Sequence, residues 1–144
     1  MNTNKILSKN NQNLDLVAEK ESKNYLNGIP FPCIVMENFF DENYLNKVLE
    51  DFPDLSQIKS SKKYMNKNEI KFANNNYTCF PESIKSLIDF MNSQYFLGFL
   101  QKLTSIKEKL IIDSELNGGG LHEIKKGGVL KVHTDFNKHP TLDM

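Results

Sequence analysis

His133 and Asp135 stand two residues apart in the run Val129-Leu130-Lys131-Val132-His133-Thr134-Asp135. In a strand, residues two apart project to the same face. The pair therefore presents an imidazole and a carboxylate side by side, a spacing suited to adjacent positions on one metal ion. A third protein ligand would complete a two-histidine, one-carboxylate facial triad, which leaves open positions on a non-haem Fe(II). An isolated His-x-Asp match has a plainer explanation, a surface histidine and aspartate beside a turn.

The other two histidines are His122 and His139. His139 follows the pair closely and reads as a loop residue that supports the ligands by hydrogen bonding, with metal ligation as the alternative. His122, on the preceding extended run, reads as a hydrogen-bonding wall residue of the same cavity. Strict alternation would put Lys131 on the face of His133, where its ammonium could meet a carboxylate as a point charge. The competing reading is a lysine whose stem lies on the surface and whose head stays in water. Lys62-Lys63 and Lys125-Lys126 read as solvated turn charges.

The elements that must position these residues follow from pattern. Two short extended runs flank Lys125-Lys126-Gly127-Gly128, which predicts an antiparallel hairpin within Gly118–Asp135, with His133 and Asp135 on its concave face. Cys33–Met36 and Leu110–Ile112 read as strands. Leu14–Asn27 reads as a short helix ending before Gly28. Asp41 is the expected N-cap of a helix near 42–51, stopped at Phe52-Pro53. Apolar spacing predicts helices near 82–92 and 94–104. Together these three helices should bury Leu45, Val48, Leu87, Ile88, Phe96 and Leu100 beneath the sheet. Residues 1–13 read as a polar leader, and Ser56–Asn76 as a loop or insertion with at most one short strand.

Composition narrows the classes of function. Hydrophobic residues make up 39% and charged ones 25% of 144 residues, which fits one packed domain and argues against wholesale disorder. The 18 basic residues balance the 18 acidic ones, so no electrostatic footprint for nucleic acid exists. No apolar run reaches the roughly 18 residues of a membrane span, and residues 1–12 lack the apolar core of a signal peptide. All the basic residues are lysines. The guanidinium fork that usually holds a buried carboxylate is therefore missing. Cys33 and Cys79 form no CxxC pair and read as reduced, small core residues, which suits a reducing cytoplasm.

The stretch Gly118-Gly119-Gly120-Leu121-His122-Glu123-Ile124, with Gly127-Gly128-Val129 through His133-Thr134-Asp135-Phe136-Asn137-Lys138-His139-Pro140, resembles the 2-oxoglutarate/Fe(II)-dependent oxygenases. It is most similar to their bacterial prolyl-hydroxylase-like branch, in which such a segment forms a strand of a double-stranded β-helix. Pro30-Phe31-Pro32 through Phe39-Phe40 resembles the entry strand of the same proteins, followed by their first helix. The resemblance implies an α+β fold, with N-terminal helices supporting the first strands of a jelly roll over residues 14–144. It implies a dioxygenase acting as a hydroxylase, with Fe(II), 2-oxoglutarate and O2, on a peptidyl or small-molecule substrate. His133 and Asp135 would be the first two iron ligands.

Similar proteins continue for about seventy residues beyond this point, in keeping with ordinary domain sizes. That stretch carries their distal histidine ligand and the basic residue, usually arginine, that pairs with 2-oxoglutarate. The expectation is thus an N-terminal portion, inactive alone, whose partner would be a complementary C-terminal chain. Two alternatives stay open. Gly127 and His133 fit half of the first cupin motif, although Asp135 stands where a second histidine is usual. A non-catalytic interaction module, pairing through an open strand edge, is the other.

Overall fold

Four helices form where the apolar period is helical and an N-cap is available. In the computed structural model, which describes residues 5–117 and 119–133, they are α1 (Leu14–Leu26), α2 (Glu42–Asp51), α3 (Glu82–Met91) and α4 (Gln94–Thr104). Asn13, Asp41 and Ser93 each accept a hydrogen bond from a first-turn backbone N–H, that of Leu16, Tyr44 and Phe96 respectively. These caps satisfy donors that a helix start leaves without partners. None of the described helices is long and apolar enough to cross a membrane.

The chain divides into two compact units: residues up to Phe52 with Pro81–Ile112, and Pro53–Phe80 with the residues from Asp113 on. In the first unit α1 packs on α4 and α2 on α3. Its core is Ile6, Leu7, Leu14, Ala18, Phe90, Phe99 and Leu103. Phe39 joins it, meeting Phe40 edge-on at 5.0 Å and stacking on Phe99 at 5.6 Å. The Tyr95 hydroxyl accepts from Leu14 N (3.1 Å) and donates to the Gln12 carbonyl (2.8 Å), tying the start of α1 to α4.

Several expectations change here. Ile6 and Leu7 lie in the polar leader yet are buried, and Leu7 bridges to Phe40. Two apolar residues at a chain turn are enough to seat that segment on the core, whatever the polarity around them. Leu45 is exposed, and Val48, Leu87, Ile88, Phe96 and Leu100 are only half-buried. α3 and α4 point Ile84, Phe90, Phe99 and Leu103 fully inward instead, so the buried line is displaced around those two axes, and α2 has no fully buried residue. Cys33–Met36 and Leu110–Ile112 lie outside any strand. β-propensity without a partner edge makes no ladder. Neither cysteine is a core residue: both are free thiols, Cys33 half-buried and Cys79 exposed.

The second unit holds the sheet, in a stretch that reads as loop. β1 (Lys62–Met65) and β2 (Ile70–Asn74) form a hairpin, with Lys62 opposite Ala73 and Tyr64 opposite Lys71. Its turn is set by Asn66, whose Oδ1 accepts from Asn68 N (2.8 Å) and Glu69 N (3.1 Å). β3 (Leu121–Glu123) adds antiparallel to the other edge of β2, with His122 opposite Ala73. The result is a mixed α and β architecture with a three-stranded antiparallel sheet, order β1-β2-β3, among the described residues.

The predicted Gly118–Asp135 hairpin is replaced by a different pairing. Residues 121–123 and 129–131 do not pair with each other; both lie along the same edge of β2. Phe72 faces Glu123 and Glu69 faces Leu130, so three steps along β2 match seven along the other run. Ile70 N donates to Val129 O (2.8 Å) and Lys131 N to Asn68 O (3.0 Å). The Gly-Gly segment is a looped-out excursion within one interrupted strand, closed by Gly128 N on Lys125 O at 2.7 Å. Gly127, at φ 82°, takes the left-handed position such a turn needs. Nor is Lys62-Lys63 a turn: it opens β1.

Candidate functional site

Pleating sorts the second unit's side chains onto two faces. One face is structural. Glu123 Oε2 accepts from Leu55 N (3.0 Å), and Leu55 is fully buried. Lys63 and Lys125 approach the Phe72 ring at 5.8 and 5.9 Å. Asn74, 2% exposed, donates to the Ser60 and Ser61 hydroxyls and accepts from Asn76 N. Lys125 pairs with Asp54 at 2.6 Å, and that contact, with help from Ser56, holds the Asp54 carboxyl down to about 2.

The other face borders a cavity of about 570 Å³ lined by Lys62, Tyr64, Lys71, Ala73, His122 and His133 among others. Ladder register explains the grouping. Lys62, Ala73 and His122 form one rung across the three strands, and Tyr64 and Lys71 form the next on β1 and β2. Lys71 is bound to Glu69 at 3.1 Å and lies over the Tyr64 ring at 5.2 Å. Glu69 is held below the usual carboxylate range, chiefly by its hydrogen bond to Lys71 and to a lesser degree by Asn66 and the charge of His133.

His133 Nδ1 lies 2.7 Å from the Lys131 carbonyl. A carbonyl only accepts, so Nδ1 carries a proton and donates it to Lys131 O. This arrangement, in which one ring nitrogen donates to a carbonyl, fixes tautomer and ring orientation in the manner typical of metal-ligating histidines.

The sequence-predicted residues fall unequally. His122 and His133 border the same cavity. Lys131 is exposed and does not line it; the carbonyl of Lys131, rather than its ammonium, serves the site by orienting His133. Asp135 and His139 lie outside the described residues, and so does the test of a shared face for His133 and Asp135. Among the described residues, no three His, Cys, Asp or Glu side chains converge as a metal-binding group.

Lys62, Tyr64, Lys71 and Ala73 belong to the site without having been legible as such. A usable signal was present: Lys62-x-Tyr64 and Lys71-x-Ala73 alternate on either side of Asn66-Lys67-Asn68, a turn-rich break. Comparison of the chain with protein-family models, with curated proteins and with solved structures finds no match.

Proposed function

We propose that this chain contributes the metal-binding strand of a 2-oxoglutarate- and Fe(II)-dependent oxygenase acting as a hydroxylase, with His133 and Asp135 as ligands to the iron. The support is the GG-x-L-x-x-H-x-D-F-N-x-H-P sequence together with the state of His133. Its Nδ1–H is bound to the Lys131 carbonyl at 2.7 Å, so in this reading Nε2 is the nitrogen that meets the metal. That donor chemistry fits Fe(II), and a carboxylate two residues on suits the second position. The third ligand is not assigned to any described residue. In this reading the sheet of the second unit is part of a double-stranded β-helix, and the protein works in a reducing cytoplasm.

Bound Fe(II), with 2-oxoglutarate and O2 as co-reactants, would supply the oxidising power to hydroxylate an unactivated C–H bond, giving succinate and CO2. The chain's own residues have simpler tasks. Lys131 O orients the His133 ring. Glu69, ionised through its pairing with Lys71, sets the potential near that ring. Tyr64 and the small Ala73 shape the floor on which a substrate lies.

Metal binding tests the proposal apart from turnover. Anaerobic Fe(II) titration should shift the ring resonances of His133, and His133→Ala or Asp135→Ala should weaken binding by at least tenfold, the scale for a lost ligand or its support. Unchanged affinity in both variants would overturn the assignment. Turnover gives a second check: with no arginine in the sequence, the 144-residue chain alone should release no succinate from 2-oxoglutarate and O2.

A further inference from the structure

One edge of the second unit's sheet carries positive charge that no described carboxylate balances. β1 ends the ladder β1-β2-β3, and its outer edge pairs with no strand among the described residues. Lys62 and Lys63 lie in β1, with Lys59 just before it and Lys67 just after it. Residues 55–68 contain no aspartate or glutamate. The carboxylates flanking that run are committed elsewhere, Asp54 to Lys125 at 2.6 Å and Glu69 to Lys71 at 3.1 Å. Lys59, Lys62, Lys63 and Lys67 make no ion pair among the described residues, and Lys63 lies over the Phe72 ring at 5.8 Å.

Ladder register shows which backbone groups this edge offers. Antiparallel pairs alternate between exchanging both hydrogen bonds and exchanging neither. Asn66 N donates to Glu69 O at 3.0 Å, one step past the Met65–Ile70 pair. Tyr64 and Lys62 therefore bond to β2, while Met65 and Lys63 turn their N–H and C=O groups outward. Ile70 agrees: opposite Met65, it sends its N–H to Val129 O on the far side of β2. Lys63 and Met65 are both exposed.

We infer that the outer edge of β1 docks an extended acidic segment of another protein, which adds antiparallel as a further strand. Main-chain hydrogen bonds at Lys63 and Met65 hold the guest, and its alternate side chains give selectivity. An antiparallel guest meets β1 in reverse, so apolar residues fall beside Met65 and Tyr64 and carboxylates beside Lys63 and Lys62. The fitting pattern is apolar, apolar, acidic, acidic. Edge lysines commonly keep copies of one strand apart, and a second copy would bring the same cations to the same edge. Those charges favour an acidic guest, so repulsion and attraction select one class of partner. The inference is independent of the proposed metal chemistry, because β1 carries no proposed iron ligand.

The probe is acetyl-Thr-Val-Phe-Glu-Glu-Thr-amide, and its uncharged control has both glutamates replaced by glutamine. The isotope-labelled 144-residue chain, without metal, is titrated while its backbone amides are followed. The glutamate peptide should shift the Lys63 and Met65 amides saturably, and the Tyr64 amide, already bonded to β2, less. The glutamine peptide should bind about three- to tenfold more weakly, the scale of two exposed charge pairs. Met65→Pro removes one outward N–H and no β1–β2 hydrogen bond, at the kind of edge position that accepts proline. It should abolish binding while the β2–β3 amides keep their positions. Where that variant fails to fold, Lys62→Glu with Lys63→Glu carries the test. This double reversal should lose the glutamate peptide and take up the peptide with lysines in place of its glutamates.

No saturable shift at Lys63 and Met65, or equal binding of the glutamate and glutamine peptides, would overturn the inference. Binding that survives Met65→Pro in a folded chain would do the same, since charge alone would then explain it. Equal shifts from phosphatidylserine vesicles would assign the lysines to an anionic membrane. Concentration-dependent broadening of these amides without peptide would assign the edge to a second copy. Either result overturns the peptide assignment.

Discussion

Truncating Asn74 to alanine removes the polar centre on which the sheet end is built. Asn74 is 2% exposed and makes three hydrogen bonds: Nδ2 to Ser60 Oγ at 3.0 Å and to Ser61 Oγ at 3.1 Å, and Oδ1 from Asn76 N at 2.8 Å. Each is worth about 1 kcal/mol net. Ser60 and Asn76 are exposed and Ser61 half-buried, so water re-satisfies the released partners and no large desolvation penalty is added. The expected loss is about 3 kcal/mol, a factor of roughly a hundred in the closed-to-open ratio. Asn74→Asp should cost less than half of that, because an acceptor toward Asn76 survives and both serine hydroxyls can reverse to donate. Native-state amide exchange at the β2–β3 ladder reads the effect locally, without assuming that both units unfold together. An acceleration under fivefold at the His122 and Ala73 amides for Asn74→Ala would refute the reasoning, as would Asp being worse than Ala.

Gly120→Ala should destabilise the entry to β3 by about 1–3 kcal/mol and shift the His122 amide resonance, since Gly120 sits at φ 127° and an added Cβ would lie 2.6 Å from the Asn74 carbonyl; chemical denaturation and an amide spectrum check both. Phe90→Ala, at a fully buried site in the first unit, should cost about 3–5 kcal/mol by denaturant unfolding. Asp54, with its folded value lowered by Lys125 to about 2 from 3.8, stabilises the second unit above pH 3.8 and loses that contribution as pH falls toward 2. Lys125→Met should flatten this acid limb in a pH-dependent exchange or denaturation series, and an unchanged limb would count against the pairing.

Helices were legible in the sequence because their signals are local. Asp41 caps α2 and Phe52-Pro53 ends it within the span that the apolar spacing marks, and α1, α3 and α4 fall likewise within a residue or two of their predicted ends. Strands were not, because their signals are distant. β2 finds its second partner across some fifty residues, Asn74 opposite Leu121, and no periodicity in either segment announces that pairing. Half-exposed strands also carry lysine, tyrosine and asparagine, so 62–74 has the composition of a loop. The glycine pair misled for a related reason. Gly127-Gly128 permits a tight turn in both a hairpin and a looped-out excursion, and only the free edge of β2 selects the excursion. Of the candidate site, His122 and His133 were readable as cavity residues, whereas Lys62 and Ala73 became visible only once the ladder aligned them with His122.

Fe(II) at His133 tests the central claim most directly. Anaerobic titration of the isotope-labelled chain with Fe(II), following the histidine rings, should perturb His133 first. That perturbation should vanish in Asp135→Ala, while the His133 ring keeps its Nδ1–H tautomer in the metal-free protein through the Lys131 carbonyl. Fe(II) that leaves His133 untouched, or that perturbs it equally with and without the Asp135 carboxylate, would contradict the account.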